Sequence, residues 1–408
     1  MRNLLKYYRD LDRNTLFVIG AQFFIQLINV SFLSILLIYM SKEGYEDYES
    51  ADFFSYRFLG VLLFALPIGI LIRHYRLKPF FVASSLIVPL ISLVLIYAVH
   101  SHQSALLYCS TFLWGLFFSV MQVSVLPYIL RNTRPEIHTE AFALSFSTWS
   151  LSGILGGSLI HLLHKLDPDF FTERTLLMII SAMGLLSLFF SLRINRDNGP
   201  EESTPKTFRF NQYDWGVIAK AMFPTLIIAS GAGLTIQFMS LFFFNIHGMD
   251  SYPFALLNAV ALVIVFFSII VVPTIKRKLG YKIAITATQT IAVMALVVLA
   301  TTEFYSTLNI ALYIAFAAYL IRQPLMNMAN PMASELVMKY VGKKNQEIIS
   351  ALTSATWSGS WFISARIFKV MREHEVRYAH IFLITAGLYA LGVFMYHRLI
   401  VDYERRDV

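Results

Sequence analysis

The sequence has few charged residues and a single cysteine, and both shortages narrow the kind of protein it encodes. Charged residues make up 14% of the 408 positions and hydrophobic residues 57%. A water-soluble fold of this composition would leave large apolar patches exposed, which monomers avoid. A bilayer is therefore the expected solvent. Cys109 is the only cysteine, which excludes a disulfide framework and leaves the redox compartment undefined.

Apolar runs recur along the whole chain. Each has the roughly 20 residues that a helix needs to cross about 30 Å of hydrocarbon. The runs do not alternate as the strands of a membrane barrel would, so helices are predicted. The twelve predicted spans are residues 16-40, 53-72, 80-99, 104-130, 141-164, 175-192, 221-246, 253-275, 283-301, 308-334, 347-369 and 379-399.

The placement of the basic residues predicts the orientation. If the N-terminus is cytoplasmic, the tail, the inner loops and the C-terminus hold 23 of the 33 Lys and Arg residues, and the outer loops hold six. This bias follows the positive-inside rule and predicts cytoplasmic termini in a plasma membrane, with a bacterial inner membrane as the expected location. It also explains the net charge of +8 without a nucleic-acid partner. The first run is too long for a signal-peptide core and is expected to remain as an anchor.

The chain contains an internal duplication. The segment ALSFSTWSLS at 143–152 returns as ALTSATWSGS at 351–360, 208 positions later. Other pairs, such as Pro127 with Pro331, keep an offset of 204. Six spans separate the members of each pair, so both copies face the same way and form parallel repeats.

A polar connection that contains GPEESTPK divides the twelve spans into two groups of six. The predicted domains are an N-terminal six-helix lobe, a cytoplasmic linker and a C-terminal six-helix lobe. Their predicted boundaries are 1-193, 194-213 and 214-408.

This architecture resembles the major facilitator superfamily (MFS). In that family the loop between the second and third spans reads GxLxDRxGRK. Here the loop reads GILIRHYRLK, which keeps Gly69 and Lys78 and has Arg73 where the family has Asp. The matching loop of the second half, PTIKRKLGYK, has Arg277 at that position. The resemblance implies an all-α integral membrane protein with twelve transmembrane helices in two parallel six-helix repeats, working as an alternating-access transporter.

Arg322 lies in the middle of the tenth predicted span. Placing Arg there costs roughly 2.5 to 3.5 kcal/mol, so a compensating partner is expected. The nearest acid on its helix, Glu335, is about 20 Å away. Candidate neighbours are the ring of Tyr319 and the carbonyl of Leu320, freed of its donor by Pro324. Guanidinium binds carboxylate and phosphate well, so an anionic group of the substrate is expected to complete the pairing. The alternative is an Arg satisfied by carbonyls and water.

Polar residues of the first and tenth spans recur at helical spacing, which predicts inward-facing stripes. The resemblance places these spans, with the fourth and seventh, around a central cavity. The alternative is that these side chains pack between helices. The predicted substrate-binding residues are Arg322, Tyr319, Gln323, Asn327, Gln22, Gln26, Asn29, Gln122, Gln237 and the two tryptophans of the repeated segment, Trp149 and Trp357.

No acidic residue lies in the middle of a predicted span, which argues against a buried proton relay and favours facilitated diffusion or exchange. Arg57 and Arg366 lie near the outer ends of the second and eleventh spans, where they either snorkel to lipid headgroups or form a basic vestibule. An inner gate is predicted from ion pairs that hold the outward-open state. The gating candidates are Glu347 with Arg73 or Arg76, and Glu136 or Glu140 with the basic stretch around Arg277.

Two other functions compete with an anion transporter. A multidrug or metabolite exporter is suggested by TWSLSGILGG, which keeps Gly156 and Gly157 of the drug-antiporter motif GxxxGPxxGG. A membrane enzyme is suggested by His164 and Asp169 at the HxxxxD spacing of acyltransferases, but no second motif supports it. We therefore expect a monomeric transporter, not an enzyme, with a small-molecule substrate and membrane lipid as partners and with no cofactor or metal.

Overall fold

The computed structural model describes residues 11–72, 75–134, 138–195, 197–198, 213–342 and 346–406. These residues form helices and connecting turns, and no strand occurs among them. The first six spans are Arg13–Lys42, Asp47–Ile72, Lys78–His100, Ser104–Asn132, His138–Leu166, and the pair Glu173–Gly184 with Leu186–Leu192. The seventh consists of Trp215–Thr235, the 3-10 turn Ile236–Phe238 and Met239–His247; the eighth and ninth lie within Ser251–Thr301; the last three are Asn309–Val341, Gln346–Glu373 and Tyr378–Arg406.

Every predicted run falls on one of these helices, so the all-α architecture is confirmed. Ten segments of the described chain are long and apolar enough to cross a membrane. The tenth and eleventh helices are not among the ten, although they have 33 and 28 residues. Both exceed the length that crosses hydrocarbon, at about 1.5 Å per residue. Each carries polar residues along its length, which lowers its hydropathy.

Contacts divide the chain into two compact units. The first unit is Met1–Tyr45, Tyr56–Pro205 and Ser251–Ala259, and the second is Glu46–Ser55, Lys206–Asp250 and Val260–Val408. The predicted domain boundaries stay a prediction. The contact-based division differs from them at two short segments, because the start of the second span belongs to the second unit and the start of the eighth belongs to the first.

Glycines with positive φ mark corresponding turns in the two repeats. Gly44, after the first span, has φ +91°, and Gly248, after the seventh, has φ +61°. These two residues are 204 positions apart, so the duplication extends to backbone conformation. Gly280 has φ 69° and ψ 173°, and it separates the eighth span from the ninth. Glycine suits these positions because it has no Cβ to clash in the left-handed region.

Glycines also permit close helix contacts inside the first unit. A Cβ at Gly60 would overlap the carbonyl of Phe112, and a Cβ at Gly115 would overlap the carbonyl of Arg57. The second and fourth spans therefore touch backbone to backbone, as small residues allow. A Cβ at Gly156 would lie 2.6 Å from Oγ of Ser31 on the first span. This glycine of the drug-antiporter motif thus has a packing role.

Replacing Gly115 by alanine is expected to destabilise the protein by about 1–3 kcal/mol, because the added methyl group has no space beside the second span. Gly387→Ala is the matched control, since nothing lies within 4 Å of a Cβ there. Alanine in that helix is expected to add up to about 1 kcal/mol of stability. Thermal unfolding in detergent measures both. Equal melting temperatures for the two variants would contradict the close contact.

Candidate functional site

The first unit contains a cavity of about 340 Å³ among its first, fourth and fifth spans. Four of the predicted substrate residues meet there. Its polar lining is Gln22, Gln26, Gln122, Ser145 and Thr148, and its apolar lining is Phe118, Val125, Leu126, Phe146 and Trp149. Trp149 is 40% exposed and faces this space. The cavity therefore combines aromatic surfaces with a small set of amides and hydroxyls, the usual composition of a small-molecule site.

Three cavity residues form a hydrogen-bonded row. Ser145 donates from Oγ to Oε1 of Gln22 at 2.7 Å, and Gln22 donates from Nε2 to Oε1 of Gln122 at 3.4 Å. The Nε2 of Gln122 is buried and has no partner among the described residues. Buried amide groups are nearly always hydrogen-bonded, so this unpaired donor at the cavity wall is unusual.

Asn29 does not line the cavity but connects it to a buried arginine. Arg57 donates from Nη2 to Oδ1 of Asn29, and Asn29 donates from Nδ2 to Oε1 of Gln26 at 3.3 Å. Arg57 is only 4% exposed. The prediction that Arg57 snorkels or forms a vestibule was wrong, because its guanidinium points into the first unit and bonds a side chain of the first span.

Aromatic rings compensate for the burial of Arg57. Its Cζ lies 4.5 Å from the ring centroid of Trp114 and 5.2 Å from that of Phe118. Cation–π contacts of a desolvated guanidinium are worth about 2 kcal/mol. Phe118 corresponds to Arg322 at the offset of 204, so each repeat contains a buried arginine, but on a different span.

Arg322 is 1% exposed inside the second unit. It donates from Nη2 to the hydroxyl of Tyr389 at 3.4 Å and from Nη1 to Oε1 of Gln323 at 3.3 Å. Its Cζ is 5.9 Å from the ring centroid of Tyr389, and its Nε has no partner in the described part of the chain. Sequence reasoning named the ring of Tyr319 as a neighbour and missed Tyr389, which lies two spans further along the chain.

The other predicted residues of the second unit differ in how their polar groups are used. Asn327 donates to the carbonyl of Gln323 at 2.8 Å, so part of its amide is bound by its own helix. Tyr319 is buried, with its ring edge-on to Phe243. Gln237 is buried in the 3-10 turn of the seventh span, and neither its amide oxygen nor its nitrogen is bonded within the described residues. Trp357 is half-buried against Trp361.

A second polar cluster, not predicted from the sequence, holds the start of the second span within the second unit. The carboxylate of Asp52 pairs with Arg366 and, at 2.8 Å, with Lys369. The expectation that Arg366 forms an anion-attracting vestibule was wrong, because the carboxylate of Asp52 neutralises it, and its snorkelling to lipid headgroups stays a prediction. The sequence feature that could have predicted this cluster is the spacing of the basic residues of the eleventh span, which places them on one helix face.

Asp47 extends the same cluster by one turn. Arg372 reaches its carboxylate at 3.0 Å, Tyr378 donates to it at 2.5 Å and Asn245 donates to it at 2.9 Å. The guanidinium of Arg372 also lies 4.4 Å from the ring centroid of Tyr378. We call the residues Asp47, Asp52, Arg366, Lys369 and Arg372 the acid–base cluster.

The inner gate lies mostly outside the described residues. Arg73 and Glu136 fall outside them, and Glu140, Arg277 and Glu347 lie in helices whose side chains at those positions are not described. Arg76 is exposed. These gating pairs therefore stay a prediction.

The residues that suggested an enzyme do not form a catalytic arrangement in the structure. The ring of His164 stacks on Tyr252 with centroids 3.2 Å apart, and its Nδ1 lies 3.3 Å from the carbonyl of Phe171. The amide of Asp169 bonds the carboxylate of Asp167 at 3.2 Å, which is a local turn contact. Within the described ranges no group of three His, Cys, Asp or Glu residues is placed to hold a metal.

Helices of spanning length, an internal repeat and buried polar side chains in each unit are typical of membrane transporters. The model of the Major Facilitator Superfamily matches residues 18–365, and the chain belongs to that family. It is a transporter and an integral membrane protein, not an enzyme. No curated protein sequence is similar enough to this chain to count as a relative.

Solved transporter structures share the fold. The POT family transporter PepTSo is 13% identical, with a TM-score of 0.74 over 97% of this chain and 99% of its own. The nucleoside transporter NupG is 12% identical, with a TM-score of 0.72 over 95% and 99%. A bacterial homologue of the iron transporter ferroportin is also 12% identical, with a TM-score of 0.72 over 96% and 99%. At these identities the likeness describes the fold alone.

Proposed function

We propose that this protein moves a small organic anion across the membrane by alternating access, and that Arg322 binds the negative group. The observation that carries the proposal is a fully buried guanidinium whose hydrogen-bond partners are the neutral side chains of Tyr389 and Gln323. No carboxylate pairs with it in the described part of the chain.

The energy of this arrangement favours a charged ligand. Removing an ion from water costs several kcal/mol, and neutral partners recover only part of that cost. A carboxylate or phosphate that reaches Arg322 would gain charge-assisted hydrogen bonds, for which Nε is still available. Binding of the anion would therefore offset part of the free-energy cost of burying the guanidinium of Arg322.

A multidrug or metabolite exporter remains the second candidate. The pairing of the buried acidic residues distinguishes it from an anion transporter. A site for organic cations is expected to contain a buried acid. Among the described residues the buried acids are Asp47, Asp52 and Glu173, and each is already paired with a basic residue. Gly156, which suggested the exporter, is accounted for by packing against Ser31. These contacts support an anion over a cation.

The similar transporters do not restrict the substrate further, because they include a POT family transporter, a nucleoside transporter and a homologue of an iron transporter. The proposal includes an N-terminal lobe at 1-193, a cytoplasmic linker at 194-213 and a C-terminal lobe at 214-408. It also places both termini in the cytoplasm and the protein in a bacterial inner membrane as a monomer. The positive-inside bias supports this orientation.

Counterflow in proteoliposomes tests the proposal. Vesicles would be loaded in turn with monocarboxylates, dicarboxylates, organic phosphates, neutral sugars and nucleosides, or organic cations, and uptake of the same labelled solute would be measured at two pH values. We expect exchange only among the anionic solutes. Exchange of organic cations without exchange of any anion would favour the exporter.

A further inference from the structure

Arg57 determines which amide atoms of Asn29 and Gln26 donate and which accept hydrogen bonds beside the first-unit cavity. A guanidinium only donates hydrogen bonds, so the Asn29 atom that meets it must be the amide oxygen. The amide nitrogen of Asn29 therefore faces Gln26 and donates to its oxygen. Amide oxygen and nitrogen are usually interchangeable in a structure, but here the arginine fixes both amides.

Gln26 consequently turns its NH2 group, not its oxygen, toward the remaining space. It is 5% exposed and lines the cavity, and its nitrogen makes no hydrogen bond within the described chain. The Nε2 of Gln122 is a second unused donor in the same cavity. The oxygens of both glutamines already accept hydrogen bonds.

The hydroxyl protons of the cavity are used as well. Ser145 donates to Gln22, and Thr148 donates to the carbonyl of Ser145 at 2.6 Å. The amide donors left over must find acceptors on a ligand. The other walls are apolar and include the rings of Phe118, Phe146 and Trp149. Aromatic walls favour a flat, apolar group.

We infer that this cavity, which lies within the first unit, binds a flat, uncharged ligand through a carbonyl-type oxygen, and that Arg57 is the positioning residue that selects acceptors over donors. The inference goes beyond the proposed function, since it concerns the first unit alone. It adds a ligand class: planar rings that carry a hydrogen-bond-accepting oxygen. Arg57 touches no cavity space itself and acts through Asn29 and Gln26.

Two small neutral probes test the selection. The probe 1-methyl-2-pyridone is flat and has a carbonyl acceptor but no donor, whereas pyrrole is flat and has an N–H donor. Equilibrium dialysis against the full-length protein in nanodiscs, with empty nanodiscs subtracted, gives both affinities. We expect the pyridone to bind about tenfold more tightly than pyrrole, the difference of one good hydrogen bond. Equal binding of the two probes would overturn the inference.

Asn29→Asp tests the positioning role without leaving Arg57 unpaired. Aspartate still accepts from Arg57, but it has no donor for Gln26, whose amide is then free to turn. We expect the preference for pyridone over pyrrole to fall to about one. Asn309→Asp, at an exposed position, is the matched control and should keep the wild-type preference. An unchanged preference in Asn29→Asp would overturn the role of Arg57.

Gln26→Glu is expected to reverse the preference between the two probes, a result that a loss of folding cannot produce. A carboxylate replaces the NH2 group, so pyridone binding should fall about tenfold while pyrrole binding rises. A loss of both would contradict the inference. Neither probe carries a negative charge, so these affinities stay independent of anion counterflow. If no anion were exchanged in the counterflow experiment, the proposed function would be wrong, but the preference for pyridone over pyrrole could still be measured.

Discussion

Arg322→Gln is expected to lower the affinity for an anionic solute by about 10- to 100-fold. Hydrogen bonds to charged groups contribute roughly 1.5–3 kcal/mol, and glutamine offers no charge to the substrate. The variant should still fold, because an amide can bond the hydroxyl of Tyr389 and no buried charge remains. The concentration dependence of counterflow with an exchanged anion measures the change.

Two further variants separate charge from geometry. Arg322→Lys keeps the charge but loses the planar fork, so an intermediate loss of affinity is expected. Tyr389→Phe removes one neutral partner and leaves the guanidinium, so preference for anions over neutral solutes should persist. If the glutamine and lysine variants both kept the wild-type affinity for the anion, Arg322 would not be the anion site.

Asp52→Asn is expected to lower the stability of the protein by about 1–3 kcal/mol. The change removes the acid that neutralises both Arg366 and Lys369. Breaking a fully buried ion pair costs roughly 3–5 kcal/mol, but these two basic side chains are 34% and 25% exposed, so solvent screens part of the effect. Thermal unfolding in detergent, at low and high salt, measures the loss.

The control for this variant is Glu46→Gln, which removes an exposed acid one residue before the second span. We expect no measurable change there. The double variant Asp52→Lys with Arg366→Asp restores opposite charges and should recover part of the stability, giving a coupling energy above zero. Additive losses in the double variant would mean that the two residues do not interact.

Features that depend on local pattern were predictable from the sequence. Apolar run length located every span, because the bilayer fixes the length of a helix that crosses it. The offset of 204 paired Gly44 with Gly248, which share a left-handed backbone. The polar stripe of the first span put Gln22 and Gln26 on one helix face, and both line one cavity with Gln122, while their role in substrate binding stays a prediction.

Features that depend on tertiary partners were not predictable. Depth along the span suggested that Arg57 reaches lipid headgroups, whereas its partners Asn29 and Trp114 come from other helices. Asp52 comes directly before the second predicted span, and its partner Arg366 lies more than 300 positions later in the chain. Hydropathy and periodicity describe one helix at a time, so they carry no information on such pairs.

The claim that Arg322 binds the anionic group of the solute is tested most directly by counterflow. One exchanged anion and one neutral solute of similar shape would be measured in proteoliposomes of the wild type and of Arg322→Gln, side by side. The account predicts rapid exchange of the anion by the wild type, slow exchange of the neutral solute, and loss of that difference in the variant. A wild type that exchanges the neutral solute as fast as the anion, with a variant that behaves the same way, would contradict it.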